Sequence, residues 1–228
     1  MHIEPGIVDG AKIVLSYATG AASIGVAAKL AIDALRKDGG ALPLAIRTLA
    51  TTALVFSFFE VLPHQAVGVS EVHLILGSTL FLIFGAAPTA VGLALGLLLQ
   101  GLFFAPFDLP QYGMNVTTLI VPLLAMGALA KKLIAPNTAY KDLRYGQALA
   151  LSTSYQAGIV AWVAFWSLYG GGFSAATLAG TASFGAAYMT VVLLEPLVDL
   201  AVLAGAKLIS GRGRWLFQQR LYSPAATA

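Results

Sequence analysis

Seven long apolar segments place the strongest limit on how this chain can fold. They span about residues 10–35, 41–63, 71–85, 87–106, 114–134, 145–169 and 175–210. Most of them approach or exceed the roughly 20 residues that a helix needs to cross a bilayer. Hydrophobic residues make up 58% of the chain and charged residues only 10%, whereas about 25% of a soluble domain is charged. We therefore predict an all-α, polytopic membrane bundle of about seven transmembrane helices, with residues 1–228 forming a single domain.

The third segment differs from the others because it is only about 15 residues long. A short apolar segment beside a loop rich in proline and glycine is typical of a half-helix or a re-entrant turn that lines a site. We therefore expect the third segment to border the functional region.

The distribution of lysine and arginine predicts the orientation of the bundle. With seven spans, twelve of the thirteen basic residues fall on one side and only Lys12 falls on the other. The positive-inside rule makes the basic side cytoplasmic, which places the N-terminus outside and residues 211–228 in a cytoplasmic tail. Glu4 and Asp9 precede the first segment, the reverse of a basic signal-peptide start, so we expect the first helix to remain in the mature protein.

Composition excludes several classes of function. The chain contains no cysteine, which excludes thiolate metal sites and iron–sulfur clusters. The net charge of +3 is too small to indicate nucleic-acid binding. The sequence holds no H-E-x-x-H, G-x-S-x-G or P-loop motif, so we predict that the protein is not an enzyme and that it does not hydrolyse ATP itself.

The Met1-His2 start offers three nitrogens in a row: the α-amine, the His2 amide and the His2 imidazole. These atoms can close two fused chelate rings on one ion. A fourth nitrogen would complete the square geometry that nickel and copper(II) prefer. Methionine aminopeptidases act before small residues, so we expect the Met1 amine to persist. The alternative is that Met1 is only the initiating residue and His2 is solvated.

His73, at the start of the third segment, is a candidate for the fourth nitrogen. A histidine entering hydrocarbon is costly and is usually functional or paired; the alternative is an interfacial histidine bonded to a loop carbonyl. Ser70 and Glu71 are close enough in sequence to fix its tautomer. In the predicted topology His2, His64 and His73 all lie on the outer face.

Two further polar positions are candidates for supporting roles. Asn115, at the start of the fifth segment, is predicted to cap that helix or to form a hydrogen bond near the metal. His64 follows Pro63 in a loop and is a reserve ligand, although Glu60 could simply pair with it.

Glu195 and Asp199 lie four residues apart on one face of the seventh segment. Carboxylates within a membrane can relay protons. Because this pair lies toward the basic end, we predict structural pairing with lysine or arginine instead.

The sequence resembles the CbiM/NikM family, the substrate-binding (S component) membrane subunits of energy-coupling-factor (ECF) transporters for cobalt and nickel. The resemblance runs from residue 1 to about 210 and departs from the family tail at Pro5, where an acidic residue usually stands. The motifs that carry it are Met1-His2-Ile3 with Gly6, Val72-His73-Leu74 after Ser70, and Gly113-x-Asn115-Val116 behind the leucine-rich run 93–102.

The resemblance implies a metal site and a set of partners. The tail would tuck into the bundle, where the Met1 amine, the His2 amide and imidazole, and His73 would bind Co²⁺ or Ni²⁺ as transported substrate, with no prosthetic group. The implied partners are a transmembrane coupling (T) subunit, two cytoplasmic ATPase subunits and a small accessory membrane subunit. The protein would then lie in the bacterial inner membrane and supply metal for cobalamin synthesis or for nickel enzymes.

Two other classes of function stay open on the residues alone. A self-sufficient channel or proton-coupled cation carrier would use Glu195 and Asp199. An intramembrane metalloenzyme would use His64 and His73, but no carboxylate base stands at a suitable spacing from them.

Overall fold

In the described part of the chain seven helices form the bundle, as the apolar segments predict. The computed structural model describes residues 2–37, 40–136 and 138–208. The helices are α1 (Ile13–Lys37), α2 (Ala41–Glu60), α3 (Gly77–Phe84), α4 (Ala86–Phe103), α5 (Tyr112–Leu133), α6 (Tyr145–Gly171) and α7 (Ala175–Leu208). Six of them, all except α3, are long and apolar enough to cross a membrane. Helices satisfy their backbone hydrogen bonds internally, which hydrocarbon requires, and the protein is therefore a multi-pass membrane protein of the all-α class.

The third segment is a short helix, as predicted, but its first residues are not helical. Residues 65–67 (β1) and 70–72 (β2) form an antiparallel hairpin between α2 and α3. Helix α3 has 8 residues, which rise only about 12 Å. The start that we predicted at residue 71 is therefore wrong, because residues 70–72 pair as a strand and the helix begins at Gly77.

Close helix packing relies on glycine. A Cβ on Gly20 of α1 would lie 2.7 Å from the Cα of Gly113 in α5, so these two backbones nearly touch. A Cβ on Gly96 of α4 would likewise lie 2.6 Å from a methyl group of Val55 in α2. Such small residues let helices approach closely in the absence of a hydrophobic driving force. Helix α5 is the most buried of the six long helices and α1 is the least buried.

The ends of several elements meet at one end of the bundle. The ring of Phe59, in the last turn of α2, lies 6.2 Å from the His2 ring and 5.4 Å from the His73 ring. The 3-10 turn Pro106–Gln111, which joins α4 to α5, approaches the same place. At the other end, a guanidinium nitrogen of Arg47 lies 3.5 Å from the carbonyl oxygen of Phe84. Among the described residues, Arg47 and the two buried histidines thus lie at opposite ends of α2.

The predicted cytoplasmic tail, residues 211–228, lies outside the described residues.

Candidate metal centre

The N-terminal tail folds back and adds to the hairpin as a short third strand. Ile3 bridges Ser70 in antiparallel fashion. The amide of Glu4 donates to the carbonyl of Val69 at 3.1 Å, and the amide of Glu71 donates to the carbonyl of His2 at 2.9 Å. Backbone pairing therefore brings His2 beside the strand that leads to His73, as the family resemblance implies. Met1, the first predicted ligand, lies outside the described residues.

A tight turn lets the tail leave the hairpin again. The amide of Ile7 donates to the carbonyl of Glu4 at 3.2 Å, and the two residues between them are Pro5 and Gly6. Gly6 has a φ of +87°, which glycine adopts without steric cost. Proline followed by a glycine with positive φ is the pattern of a type II turn. Pro5 and Gly6 thus shape the turn that ends the pairing of the tail with the hairpin.

Two polar side chains anchor the tail. The side-chain oxygen of Asn115 accepts a hydrogen bond from the amide of Ile3 at 2.8 Å. The hydroxyl of Ser70 donates to the carbonyl of His2 at 2.7 Å. All these groups are buried, so each bond satisfies a backbone group that would be costly to leave unpaired.

These contacts bear on two predicted roles. Asn115 lies inside the first turn of α5, and the N-cap position is Gln111, so the prediction that Asn115 caps the helix is wrong. The Ser70 hydroxyl donates to the His2 carbonyl, and its role in fixing the tautomer of His73 stays a prediction. Both side chains support the N-terminal tail.

Glu71 joins the two buried imidazoles. Its Oε2 lies 2.9 Å from Nδ1 of His2 and 2.7 Å from Nε2 of His73. The ring centroids of His2 and His73 are 5.3 Å apart. One ligand atom from each of His2, Glu71 and His73 can be chosen so that all three lie within 4.8 Å of one another. We call these three residues the metal centre.

The relevant nitrogen of His2 already faces the centre. Nδ1 is the ring nitrogen closer to the backbone, and it is the atom that can form a chelate ring with the amide of the same residue. Nδ1 points at Glu71, so this nitrogen lies within the metal centre.

Asp108 is a member of the site that sequence reasoning missed. Its Oδ2 lies 3.1 Å from Nδ1 of His2, and the side chain is buried. The available signal was an acidic residue in the Pro-rich loop APFDLP, on the same predicted face as the three histidines. Glu4 is close enough to Glu71 and Asp108 to feel their charge. Three carboxylates therefore surround His2 and favour a cation there.

Burial and charge set the protonation of the centre. Burial lowers the pKa of His73 well below its ordinary value, and the hydrogen bond that His73 donates to Glu71 offsets this only in part. Burial would raise the pKa of Glu71, but its contacts with the two imidazoles outweigh burial and hold that pKa well below the ordinary value. Burial, followed by repulsion from Glu71 and Asp108, raises the pKa of Glu4. The centre thus presents a carboxylate and a neutral His73, which are the protonation states that bind metal.

The remaining histidine, His64, covers the centre from outside. Its exposed ring is stacked on the His73 ring, with centroids 4.9 Å apart and an interplanar angle of 14°. Its Nδ1 lies 3.2 Å from the carbonyl oxygen of Leu62. The three histidines gather as predicted, but stacking aligns the two rings face to face, and His64 lies outside the three-residue metal centre.

Glu195 and Asp199 are fully buried and do not have the partners that we predicted. Glu195 accepts hydrogen bonds from the amides of Ile75 and Leu76 and from the side chain of Gln156. Asp199 accepts from the hydroxyls of Ser78 and Thr79. The prediction of pairing with lysine or arginine is therefore wrong, since backbone amides, a carboxamide and hydroxyls occupy those positions.

One comparison with known proteins gives a match. The chain matches the family model for CbiM, described as the cobalt uptake substrate-specific transmembrane region, over residues 2–209. No curated protein and no solved structure matches the chain.

Proposed function

The chain belongs to the CbiM family of cobalt uptake substrate-specific transmembrane proteins, and from this premise we propose that it captures Co²⁺ or Ni²⁺ at the metal centre for ATP-driven uptake. Membership makes it a membrane component of a transporter, and the proposed role involves no catalysis by this chain. The observation that carries the proposal is the placement of His2 and His73 around one carboxylate, with ligand atoms within 4.8 Å. Ligands on opposite sides of one ion lie about 4 Å apart, so only a small contraction is needed.

The proposed ligand set has four nitrogens. The Met1 amine, the His2 amide and Nδ1 of His2 take three positions, and His73 takes the fourth. Nδ1 of His73 supports this role, because it is buried and has no hydrogen-bond partner among the described residues. An unpaired buried nitrogen is costly unless a ligand or an ion satisfies it.

The surrounding residues are proposed to support these ligands. Glu71 orients His73 through the hydrogen bond from Nε2, and it adds negative charge beside Nδ1 of His2, where the ion is proposed to bind. Asn115 and Ser70 hold the tail in register, and His64 limits solvent access to His73. Partners of this kind typically change metal affinity 10- to 100-fold when they are removed.

The experiment that tests the capture step is an N-terminal extension. One added residue before Met1 converts the amine into an amide and removes a ligand, so affinity for Co²⁺ or Ni²⁺ should fall more than about 100-fold. Isothermal titration of the purified protein with each ion measures this, and it also decides between cobalt and nickel. The same residue added after Ala228 is the control and should change nothing. Full affinity in the N-terminally extended protein would overturn the ligand set.

The direction of transport and its energy source are also proposals. The metal centre would face outside and the end that bears Lys141 and Lys207 would face the cytoplasm. With no P-loop in the sequence, ATP hydrolysis would come from two ATPase subunits acting through a coupling subunit, with a small accessory membrane subunit. The exposed side of α1, the least buried long helix, is the proposed docking face.

Reconstituted transport tests this part. Proteoliposomes that contain this chain with the coupling and ATPase subunits should accumulate labelled Co²⁺ only when ATP is present on the ATPase side. Vesicles that contain this chain alone should not. Accumulation by the chain alone would favour a self-sufficient carrier and would contradict the proposed partners.

A further inference from the structure

Helix α7 carries a carboxylate that reaches the backbone just beyond His73. Oε1 of Glu195 accepts hydrogen bonds from the amides of Ile75 and Leu76, the latter at 2.9 Å. Ile75 and Glu195 are fully buried, and Leu76 is nearly so. Ile75 and Leu76, which closely follow His73, are therefore fixed by Glu195, a residue 120 positions beyond Ile75 in the chain.

The backbone held in this way has an unusual conformation. Leu76 has a φ of +53°, and it is the only residue other than glycine with positive φ in the described part of the chain. The left-handed region is sterically unfavourable for an L-residue, and such a conformation persists only where its surroundings impose it. Glu195 supplies that constraint, because it accepts from the amide of Leu76 itself.

The second oxygen of Glu195 is positioned by a relay of side chains. The Gln156 amide group donates to Oε2 of Glu195. The Tyr188 hydroxyl in turn donates to the carbonyl oxygen of Gln156 at 2.6 Å. The Gln156 side chain therefore turns its oxygen toward Tyr188 and its nitrogen toward Glu195. All three side chains are fully buried. Every group in this relay has a matched donor or acceptor, so the position of Glu195 is defined from both α6 and α7.

We propose that Glu195 is a positioning residue for metal capture: through the amides of Ile75 and Leu76 it sets where the chain leaves β2 and hence where His73 meets the metal. This inference rests on the proposed function. It assigns Glu195 no contact with the ion and no transfer of protons. Its role is to hold residues 73–76 in place, directly before helix α3 begins at Gly77.

The relay offers a specific test, because its charge can be exchanged between two positions. In E195Q the introduced amide group faces the amide group of Gln156, so either two donors meet or the Gln156 amide turns over and the Tyr188 hydroxyl loses the oxygen to which it donates. Either arrangement removes one hydrogen bond from the relay. In the double variant E195Q/Q156E the carboxylate introduced at position 156 accepts from the amide group introduced at position 195 and from Tyr188. The carbonyl oxygen at position 195 still accepts from Ile75 and Leu76. The exchange therefore restores every hydrogen bond of the relay at the same net charge.

We expect E195Q to bind Co²⁺ or Ni²⁺ about 10-fold more weakly than wild type, at the lower end of the effect of outer ligand partners. The double variant should return to within about 3-fold of wild type, well inside the effect of losing such a partner. Titration calorimetry gives the affinity per folded protein, and the visible absorption spectrum of the bound ion reports its ligand geometry. The spectrum should shift in E195Q and should return in the double variant.

Asp199 provides a matched control one turn away. It holds the hydroxyls of Ser78 and Thr79, inside α3 and farther along the chain from His73. D199N should lower thermal stability but change metal affinity less than E195Q does.

Three results would overturn the inference: wild-type affinity and spectrum in E195Q, a double variant that stays as weak as E195Q or does not fold, or a loss in D199N as large as that in E195Q. Absence of binding in the wild-type protein is a separate result, because it would overturn the proposed function before any variant is compared.

Discussion

Two polar clusters contact the two ends of residues 73–76: the metal centre includes His73, and Glu195 binds the amides of Ile75 and Leu76. The clusters differ in how completely their polar atoms are hydrogen-bonded. In the metal centre, one oxygen of Glu71 lies between two imidazoles. Nδ1 of His73 has no hydrogen-bond partner among the described residues. In the carboxylate cluster formed by Glu195 and Asp199, both oxygens of each side chain accept hydrogen bonds.

This difference separates a binding site from a structural one. Buried polar groups that are fully paired stabilise a single arrangement, whereas an unpaired one calls for an explanation such as ion binding. By this criterion Glu195 and Asp199 stabilise the fold, and His2, Glu71 and His73 are available to a ligand. Carboxylates occur in both clusters, and their partners differ: imidazoles for Glu71 and neutral hydrogen-bond donors for Glu195 and Asp199.

The largest expected effect is the loss of stability in E195A. If this loss were absent, the carboxylate cluster would not differ from the metal centre in the way described. E195A leaves the amides of Ile75 and Leu76 and the side chain of Gln156 without their acceptor in a buried site. Leaving a buried neutral donor unsatisfied costs about 1–3 kcal/mol, and E195A leaves three such donors, so the free energy of unfolding of the metal-free protein should fall by about 3 kcal/mol or more. Denaturant-induced unfolding in detergent, followed by circular dichroism, measures it.

The matched substitution in the metal centre is E71A. Glu71 is partly exposed, so water can replace its oxygen and the cost should stay below about 1.5 kcal/mol. Equal losses in E195A and E71A would mean that the two clusters do not differ in the way proposed.

The second effect is on metal affinity. H73A removes one of four proposed ligands, and affinity for Co²⁺ or Ni²⁺ should fall more than about 100-fold, since even outer partners contribute 10- to 100-fold. H64A removes a ring of the same type that stacks on His73 from outside, and it should weaken binding less than about 10-fold. Titration calorimetry on both variants compares them. A larger loss in H64A would make His64 the ligand and His73 its support.

The smallest expected effect is on the pH dependence of stability without metal. The folded-state pKa of His73 lies below its unfolded value. Below about pH 6.5 the unfolded chain therefore binds a proton at this residue that the folded protein does not, and the free energy of unfolding decreases as the pH decreases. The folded-state pKa of Glu71 is also lowered, so its contribution is present above about pH 4.3 and is lost below it.

Unfolding in the presence of a chelator between about pH 8 and pH 5 should therefore show a decline that begins near the unperturbed histidine pKa of about 6.5. H73Q should flatten this decline, because the neutral amide does not titrate. An unchanged slope in H73Q would assign the decline to other groups.

Much of the architecture follows from the sequence because hydrocarbon imposes a simple rule. A backbone in a bilayer must satisfy its own hydrogen bonds, so each long apolar segment is predictable as a helix, and the third as a short one. The order of the segments places His2, His64 and His73 at one end, and the structure confirms that they lie together. The position of the tail follows from resemblance to a family, and backbone pairing of Ile3 with Ser70 accounts for it.

The side-chain predictions that failed concern residues whose partners are distant in sequence. Local spacing assigns Asn115 to its own helix end, yet its partner is the amide of Ile3, 112 residues away. Asp108 escapes sequence reasoning, because nothing adjacent in the sequence indicates that its loop reaches His2. Local spacing cannot identify such partners.

The sequence by itself determined the number of helices, the short third segment and the types of atom available for binding a metal. Only the tertiary structure decided which carboxylate belongs to the metal centre and which accepts hydrogen bonds from backbone amides. The physical reason is that hydrophobic segmentation is a property of neighbouring residues, whereas the pairing of a buried donor with an acceptor depends on which helices come to lie side by side.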